Sequence, residues 1–439
     1  MIYKLLKFSN KSLVIIMMLL LITGVTTTVD AQEIQNEYQV YKGKIIEAKT
    51  KKSLVFATLS IDGTNISTVT NTEGEFSLKV PHSMDSGSVT VSFLGYKTKN
   101  ILLTTLQEDK NKIVLKPSVL ALTEVDIVAP KNAKKLVIET FEKKGKNYFQ
   151  DHTLMTAFYR ETIKKRKKNI SLSEAVVNIH KTPYSSTQKD AVKLYKARKS
   201  TDYSKLDTLT LKLQGGPFNT LFIDMMKYPE YIFTKNTLEL YDYTFERSIR
   251  IKDRLIYVIN FKKQAHIEDQ MYKGQLFIDA NNKILTSAIY NLEITNKYLA
   301  SKMFVRHKPA NADVYPTNVA YRIDYREKDD KWYYGYSNVQ LAFKINWDDR
   351  LFNSLYTMNC EMAVTDWKKN KKTKLKNNEK LSHNIILSDE AIGFSDPDFW
   401  GKYNIIEPEK SIESAIKKIQ RQLKKDKIGG TVAMTYPNP

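Results

Sequence analysis

The sequence holds a single cysteine, Cys360, in 439 residues. No intramolecular disulfide can form, and no cysteine follows the N-terminal apolar run to take a lipoprotein-type lipid. Stability therefore rests on buried area, and with 42% hydrophobic and 11% aromatic residues the chain can build cores for about two or three domains. Long hydrophobic runs are also missing. The unbroken run Leu13–Ile22 is ten residues, about 15 Å as a helix against a hydrocarbon layer of about 30 Å. That run is too short to cross the layer and favours a cleaved secretory leader over an anchor. Acidic residues are the third shortage: 69 Lys and Arg stand against 48 Asp and Glu, a net charge of +21.

The leader has the expected parts. Lys4, Lys7 and Lys11 precede the apolar run, and Val29-Asp30-Ala31 places small residues at a cleavage site. Residues 1–31 are expected to be a signal peptide cleaved near Ala31, sending the protein to the periplasm or the outer membrane. Export argues against nucleic acid as partner. Anionic lipid, lipopolysaccharide, glycan or an outer-membrane protein then complements the positive charge, with a merely well-solvated lysine-rich surface as the alternative.

From Gly63 to Tyr96 the chain alternates as a β protein does. Gly63 and Gly74 stand where tight turns need positive φ. Phe76, Leu78 and Val80 share one face of a strand ended by Pro81, and Val89, Val91 and Phe93 repeat the pattern. Leu54–Ile61, Ile101–Leu103, Ile113–Leu115 and the alternation Val125, Ile127, Ala129 before Pro130 add further strands, so residues 38–128 read as a sandwich of about seven short strands. Gly43, Gly63-Thr64, Gly74-Glu75-Phe76 and Phe93-Leu94-Gly95-Tyr96 resemble the carboxypeptidase-regulatory-like domain, a β-sandwich of transthyretin-like topology. In that family the domain is an accessory to catalysis, so the resemblance implies a fold and no reaction. It departs from relatives at Ser53-Leu54-Val55 and Asn65-Ile66-Ser67, where a proline and a second glycine are often found.

After Pro130 the period changes to that of a helix through Leu136, Ile138 and Phe141, a connector over residues 131–147. Residues 148–400 then read as an antiparallel β-rich domain. Phe158–Glu161, the lysine run around Arg166, and Glu174–Val177 form a hairpin in which Glu161 and Glu174 are placed to face each other beside Arg160 as a structural ion pair. Phe218, Leu221, Phe222, Met225 and Met226 predict a helix lying across the sheet. Val339, Leu341, Phe343, Ile345 and Met358, Cys360, Met362, Val364 alternate within a meander. The layout is a curved sheet or half-barrel around a helix, similar to the periplasmic lipoprotein carriers, with a transmembrane barrel as competitor. The hairpin, Gly215-Gly216-Pro217 and the later aromatic stretch resemble a family of uncharacterised Bacteroidota envelope proteins, which implies an envelope role.

The aromatic stretch Phe394 to Tyr403 is expected to dock the chain's end on the sheet. An amphipathic helix follows Pro408, with Ile412, Ala415, Ile416, Ile419 and Leu423 as its stripe, suited to packing or to an anionic membrane. Residues 401–427 make up that aromatic loop and helix, and 428–439 a disordered tail.

The search for chemistry finds little. None of the six histidines begins the H-x-x-E of a zinc carboxypeptidase or lies in H-E-x-x-H. His82 with Asp85 is the nearest spacing, in a turn of the sandwich. No nucleophile elbow, P-loop or dinucleotide fingerprint occurs, and Asp224, Asp279 and Asp324 are scattered. No catalytic, cofactor-binding or metal-binding residue is assigned, and no cofactor is expected. The resulting reading is a non-catalytic binding or scaffold protein for a glycan, peptide, lipid or outer-membrane partner, membrane-peripheral at most. The alternative is a hydrolase of peptide or glycan with a site assembled from dispersed residues.

Overall fold

A computed structural model describes residues 37–118, 132–166, 168–201, 212–251, 254–370, 375–393 and 399–409. The expected leader, the alternation at Val125 to Ala129, the lysines at 371, 372 and 374, residues 394–398 and the C-terminal helix from residue 410 onward lie outside the described residues.

Seven short strands come first: β1 Tyr38–Glu47, β2 Thr58–Ile61, β3 Ser67–Val69, β4 Glu75–Pro81, β5 Ser88–Ser92, β6 Lys99–Leu102 and β7 Asn111–Leu115. They form two sheets, in the orders β4-β1-β7 and β3-β2-β5-β6. Between the sheets the alternating residues Phe76, Leu78, Val80, Val89 and Val91 meet Ile45, Leu59 and Ile113 in one core. The turn at Gly74 has φ +75°, which a side chain rarely adopts. Gly43 serves a different need, since a Cβ there would lie 2.2 Å from the Asn111 carbonyl oxygen where β1 and β7 run parallel. The β-rich run Leu54–Ile61 is shorter than its sequence suggests. Phe56 has φ +64°, outside any strand, so extended pairing starts only at Thr58. Leu103 likewise falls in a 3-10 turn after β6.

The chain continues through α1 Ala133–Glu142, α2 Lys144–Asn147, β8 Thr153–Lys165, β9 Lys168–Lys181, β10 Ala191–Thr201, α3 Phe218–Leu221, α4 Lys235–Leu238, β11 Tyr241–Ile251, β12 Arg254–Lys263, β13 Tyr272–Asp279 and β14 Ile284–Leu292. It ends with α5 Lys297–Phe304, β15 Ala312–Lys328, β16 Lys331–Trp347, β17 Ser354–Lys369, α6 Leu387–Glu390 and β18 Ile392–Gly393. Asn132 caps α1 by accepting from the Lys135 amide at 2.8 Å. The large sheet has eleven strands in the order β11-β12-β13-β14-β15-β16-β17-β8-β9-β10-β18, an open, curved, antiparallel meander extended at one edge by the short parallel β18. No helix among the described residues is long and apolar enough to cross a membrane.

Alternation gives this sheet two different faces. On β8, Ala157 and Tyr159 turn inward to the main core, while Phe158 turns outward to a second cluster with Val176, Tyr336 and Ala363. The inner face is covered by α1, through Leu136 and Val137, and by the segment from Leu213 to Leu238. The outer face receives the sandwich and the aromatic stretch: Val69, Trp400 and Ile406 join the second cluster, and Ser67 Oγ donates to the Val364 carbonyl at 3.1 Å.

Two expectations are corrected here. The helix predicted over Phe218 to Met226 is a single turn, Phe218–Leu221, followed by turns. Its residues are buried on all sides rather than along one stripe, so no amphipathic rod is needed. Glu161 and Glu174 do not face each other. The register pairs Arg160 with Glu174 and Glu161 with Ser173, so the two carboxylates lie on opposite faces. The structural ion pair is there, between Arg160 and Glu174 at 2.7 Å.

Candidate functional site

Beneath the covering segment the inner face leaves a cavity of about 780 Å³, within the roughly 300–1,000 Å³ of small-molecule sites. Its floor is strand: Tyr290 of β14, Tyr321 of β15, Val339, Leu341 and Phe343 of β16, Met358 and Cys360 of β17. These residues line it because alternate positions of neighbouring strands point to one face. Phe218, Phe222, Ile223 and Ile232 form the roof, and the end of α5 with the turn after it, Met303 to His307, forms one side of the mouth. Tyr290 and Tyr321 stack with ring centroids 4.9 Å apart. The Tyr290 hydroxyl is buried with no hydrogen-bond partner, an unsatisfied polar atom against the cavity wall.

Among the described residues the lining carries no Asp or Glu; its charged or titratable groups are Lys212, Arg306, His307 and His383, with the tyrosines and Cys360. Lys212 is held by Asp389 at 2.9 Å. His383 lies edge-on to Phe218 at 4.4 Å, and burial together with the charge of Lys189 pushes its pKa down. Burial also pushes the Cys360 thiol up, away from the thiolate that nucleophilic chemistry needs.

The roof is tied down by a polar centre in the core. Lys181 Nζ lies 2.8 Å from Asp190 and 2.8 Å from Asp224, all three side chains shut off from solvent. Tyr184 and Tyr325 donate to Asp224 at 3.1 and 2.9 Å. Burial disfavours the Lys181 charge, and the two carboxylates more than offset this, raising its pKa. Deeper in the wall, Glu161 has no cation beside it among the described residues. Burial pushes its pKa up to about 7, with the hydrogen bond from Tyr159 at 2.9 Å opposing.

A second charged centre lies on the outer face. Glu174 is bonded by Arg160 at 2.7 Å and Arg198 at 2.8 Å, and Arg160 also meets Glu361 at 3.2 Å and the Ile406 carbonyl at 2.6 Å. Burial works against the Glu174 carboxylate, and the two guanidinium groups outweigh it, holding its pKa below the usual range. This centre fixes the aromatic stretch to the sheet, with Arg198 over the Trp400 ring at 4.8 Å.

The residues singled out in the sequence are not brought together. His82 and Asp85 pair at 3.3 Å on the exposed sandwich turn, while Asp279 caps the β13–β14 turn by accepting from the Asn281 and Asn282 amides at 2.9 Å. Asp324 pairs with Arg322 at 2.8 Å. Among the described residues no group of three or more His, Cys, Asp or Glu is placed to hold a metal. The cavity itself escaped the sequence reading, because its lining comes from elements far apart in the chain. Asp224, a lone carboxylate inside the apolar run Leu221 to Met226, was the available signal.

Among solved structures the chain is similar to a domain classed with outer membrane lipoprotein-sorting proteins from Vibrio parahaemolyticus, at 12% identity, covering 56% of this chain and 96% of that one with a TM-score of 0.25. It is similar to a DUF1329 family protein from Desulfovibrio piger, at 9% identity over 55% and 93% of the two chains, TM-score 0.23. A LolA superfamily protein from Nitrosomonas europaea gives 9% identity over 54% and 94%, TM-score 0.22. At these identities and scores none of the three bears on what this chain does. No curated protein matches by sequence. The family model of the CarboxypepD_reg-like domain matches residues 41–127, the stretch that runs from within β1 through β7.

Proposed function

We propose that this is an exported, non-catalytic protein of the cell envelope that holds an apolar ligand, a lipid or lipid-like chain, against the inner face of its large sheet. The observation that carries this reading is the cavity of about 780 Å³ with an aliphatic and aromatic lining and no carboxylate. Its strand floor and roof stabilise a buried chain by about 0.8 kcal/mol per methylene, while the polar side chains Lys212, Gln214, Asn219, Arg306, His307, His383 and Asn384 come from the segments that cover the sheet. On the same reading residues 1–31 are a cleaved leader, 38–128 an interaction module, 131–147 a connector, 148–400 the binding body, and 401–427 a C-terminal clasp before the tail.

The hydrolase alternative asks for histidine and carboxylate converging in one cleft. His307 and His383 reach the mouth of the cavity with no Asp or Glu in its lining, which favours binding over catalysis. Titration of the purified protein with an apolar fluorescent probe, N-phenyl-1-naphthylamine, tests the proposal. A saturable rise in probe emission, reversed by a long-chain fatty acid, is the expected result. Absence of saturable uptake by delipidated protein refutes it.

A further inference from the structure

The mouth of the cavity opens at one end of the large sheet, and three connections gather there. The turn after α5 supplies Met303 to His307 to the mouth. The β16–β17 loop is held beside it, since the Asp348 amide donates to the Asn311 carbonyl at 3.1 Å and Ala312 pairs with Trp347. The β8–β9 turn adjoins that loop, with the Arg166 amide bonded to the Leu355 carbonyl at 2.9 Å.

What these connections expose is unusual. Leu351 is 97% and Phe352 80% exposed at the tip of the β16–β17 loop, and on α5 Tyr298, Leu299 and Met303 are open to solvent as well. Isolated exposed apolar groups are ordinary, whereas five at one end around a cavity mouth call for an occupant. The charges among them are mainly positive. Arg166, Lys168 and Arg306 are exposed with no carboxylate partner among the described residues, and Arg350 shields the Trp347 ring at 4.8 Å. The acids beside these three connections are Asp313, paired with Lys308 at 3.8 Å, and Asp348 and Asp349 in the loop itself, while Glu268 and Asp269 of the β12–β13 connection and Glu293, paired with Lys273 at 3.2 Å, lie farther along the same end.

We infer that this end of the sheet docks on an anionic phospholipid surface, with Leu351 and Phe352 entering the acyl region and the free cations meeting phosphates. Protruding apolar tips separated by cations match a bilayer interface, where each tip needs only depth and each cation finds a phosphate at any rotation. A protein partner would instead need a matching flat contact. The inference rests on the proposed lipid reading of the cavity, because docking there brings the mouth against the source of its ligand.

Sedimentation of the full chain with vesicles tests it, using phosphatidylcholine alone and phosphatidylcholine mixed with phosphatidylglycerol. Binding to the mixed vesicles is expected, weakened by salt and near absent on the neutral ones. Leu351→Ser with Phe352→Ser lowers the partition on the order of tenfold, and Lys168→Gln or Arg166→Gln lowers it roughly fivefold each. Probe uptake from solution stays unchanged in these variants, since none of the changes enlarges or fills the cavity. Undiminished sedimentation of the Leu351→Ser, Phe352→Ser protein overturns the inference, as does equal binding to neutral vesicles. Failure of the parent protein to sediment also overturns it and points to a protein partner. A protein that sediments as expected yet takes up no probe leaves the docking surface standing and removes the carrier reading instead.

Discussion

Lys181 and Asp224 are 2.8 Å apart in the interior, and between them they tie the end of β9 to the roof of the cavity. Asp224 is the one acid of the run Leu221 to Met226, and it also takes hydroxyl protons from Tyr184 and Tyr325. Asp224→Ala strips those partners and leaves Lys181 with Asp190 alone. A loss of roughly 3–5 kcal/mol is expected in urea unfolding, together with faster amide exchange across residues 218–228. Exchange rates equal to those of the parent protein count against the tether.

Glu161 makes stability depend on pH in an unusual direction. Its folded pKa is raised to about 7 from an ordinary 4.5 because burial penalises the carboxylate. Below the lower value both folded and unfolded chains are protonated and nothing is lost. As pH rises through the window the unfolded chain gives up its proton first, so stability falls until about pH 7 and stays low above it. Glu161→Gln removes this loss. The variant's advantage in unfolding free energy, read from urea titrations, should grow between pH 5 and pH 8 to on the order of 3 kcal/mol; a difference that stays flat with pH contradicts the assignment.

On the outer face, Glu174 neutralises two buried guanidinium groups at once. Glu174→Ala leaves both without their main counter-charge and is expected to cost about 3–5 kcal/mol. The aromatic stretch leans on the same group through Arg198 and Trp400, so tryptophan emission should also shift toward the red. Calorimetry and fluorescence on the one variant check both.

Val339 stands on the cavity floor, where a larger side chain has room to enter. Val339→Phe is expected to weaken uptake of the apolar probe about tenfold or more while moving the melting temperature by only a few degrees. Unchanged uptake places the ligand elsewhere.

In the sandwich, Gly43 lets β1 lie against Asn111 of β7. Gly43→Ala forces a methyl group into backbone and is expected to cost about 1–3 kcal/mol, seen as an earlier transition in thermal unfolding. Gly63→Ala is the comparison, since a Cβ there meets open space and only its φ of +73° is strained.

The legible and illegible parts divide by how local their causes are. Met358, Cys360, Met362 and Val364 announce a strand because alternation is written in neighbouring residues, and β17 carries all of them. Phe56 hides a break in an apparent strand, since its positive φ is imposed by packing beyond its own neighbours. The helix α5 passed unread because Tyr298, Leu299 and Met303 point away from the core, which blurs its stripe. The pairing of Glu161 depended on which residues close the β8–β9 turn, and a shift of one position exchanges its face and its partner. The cavity is furthest from the sequence, being a space left between β14–β17 and a roof drawn from a distant part of the chain.

Cys360, the only thiol, lines that space and is nearly closed to solvent. Any thiol-directed label on the protein therefore reports on one spot, with no second thiol to subtract. Slow modification by a small maleimide, slower still once the interior is filled, would convert the rate of a single bond-forming event into a count of occupied molecules. A chain with a single thiol thus carries a readout of its own loading.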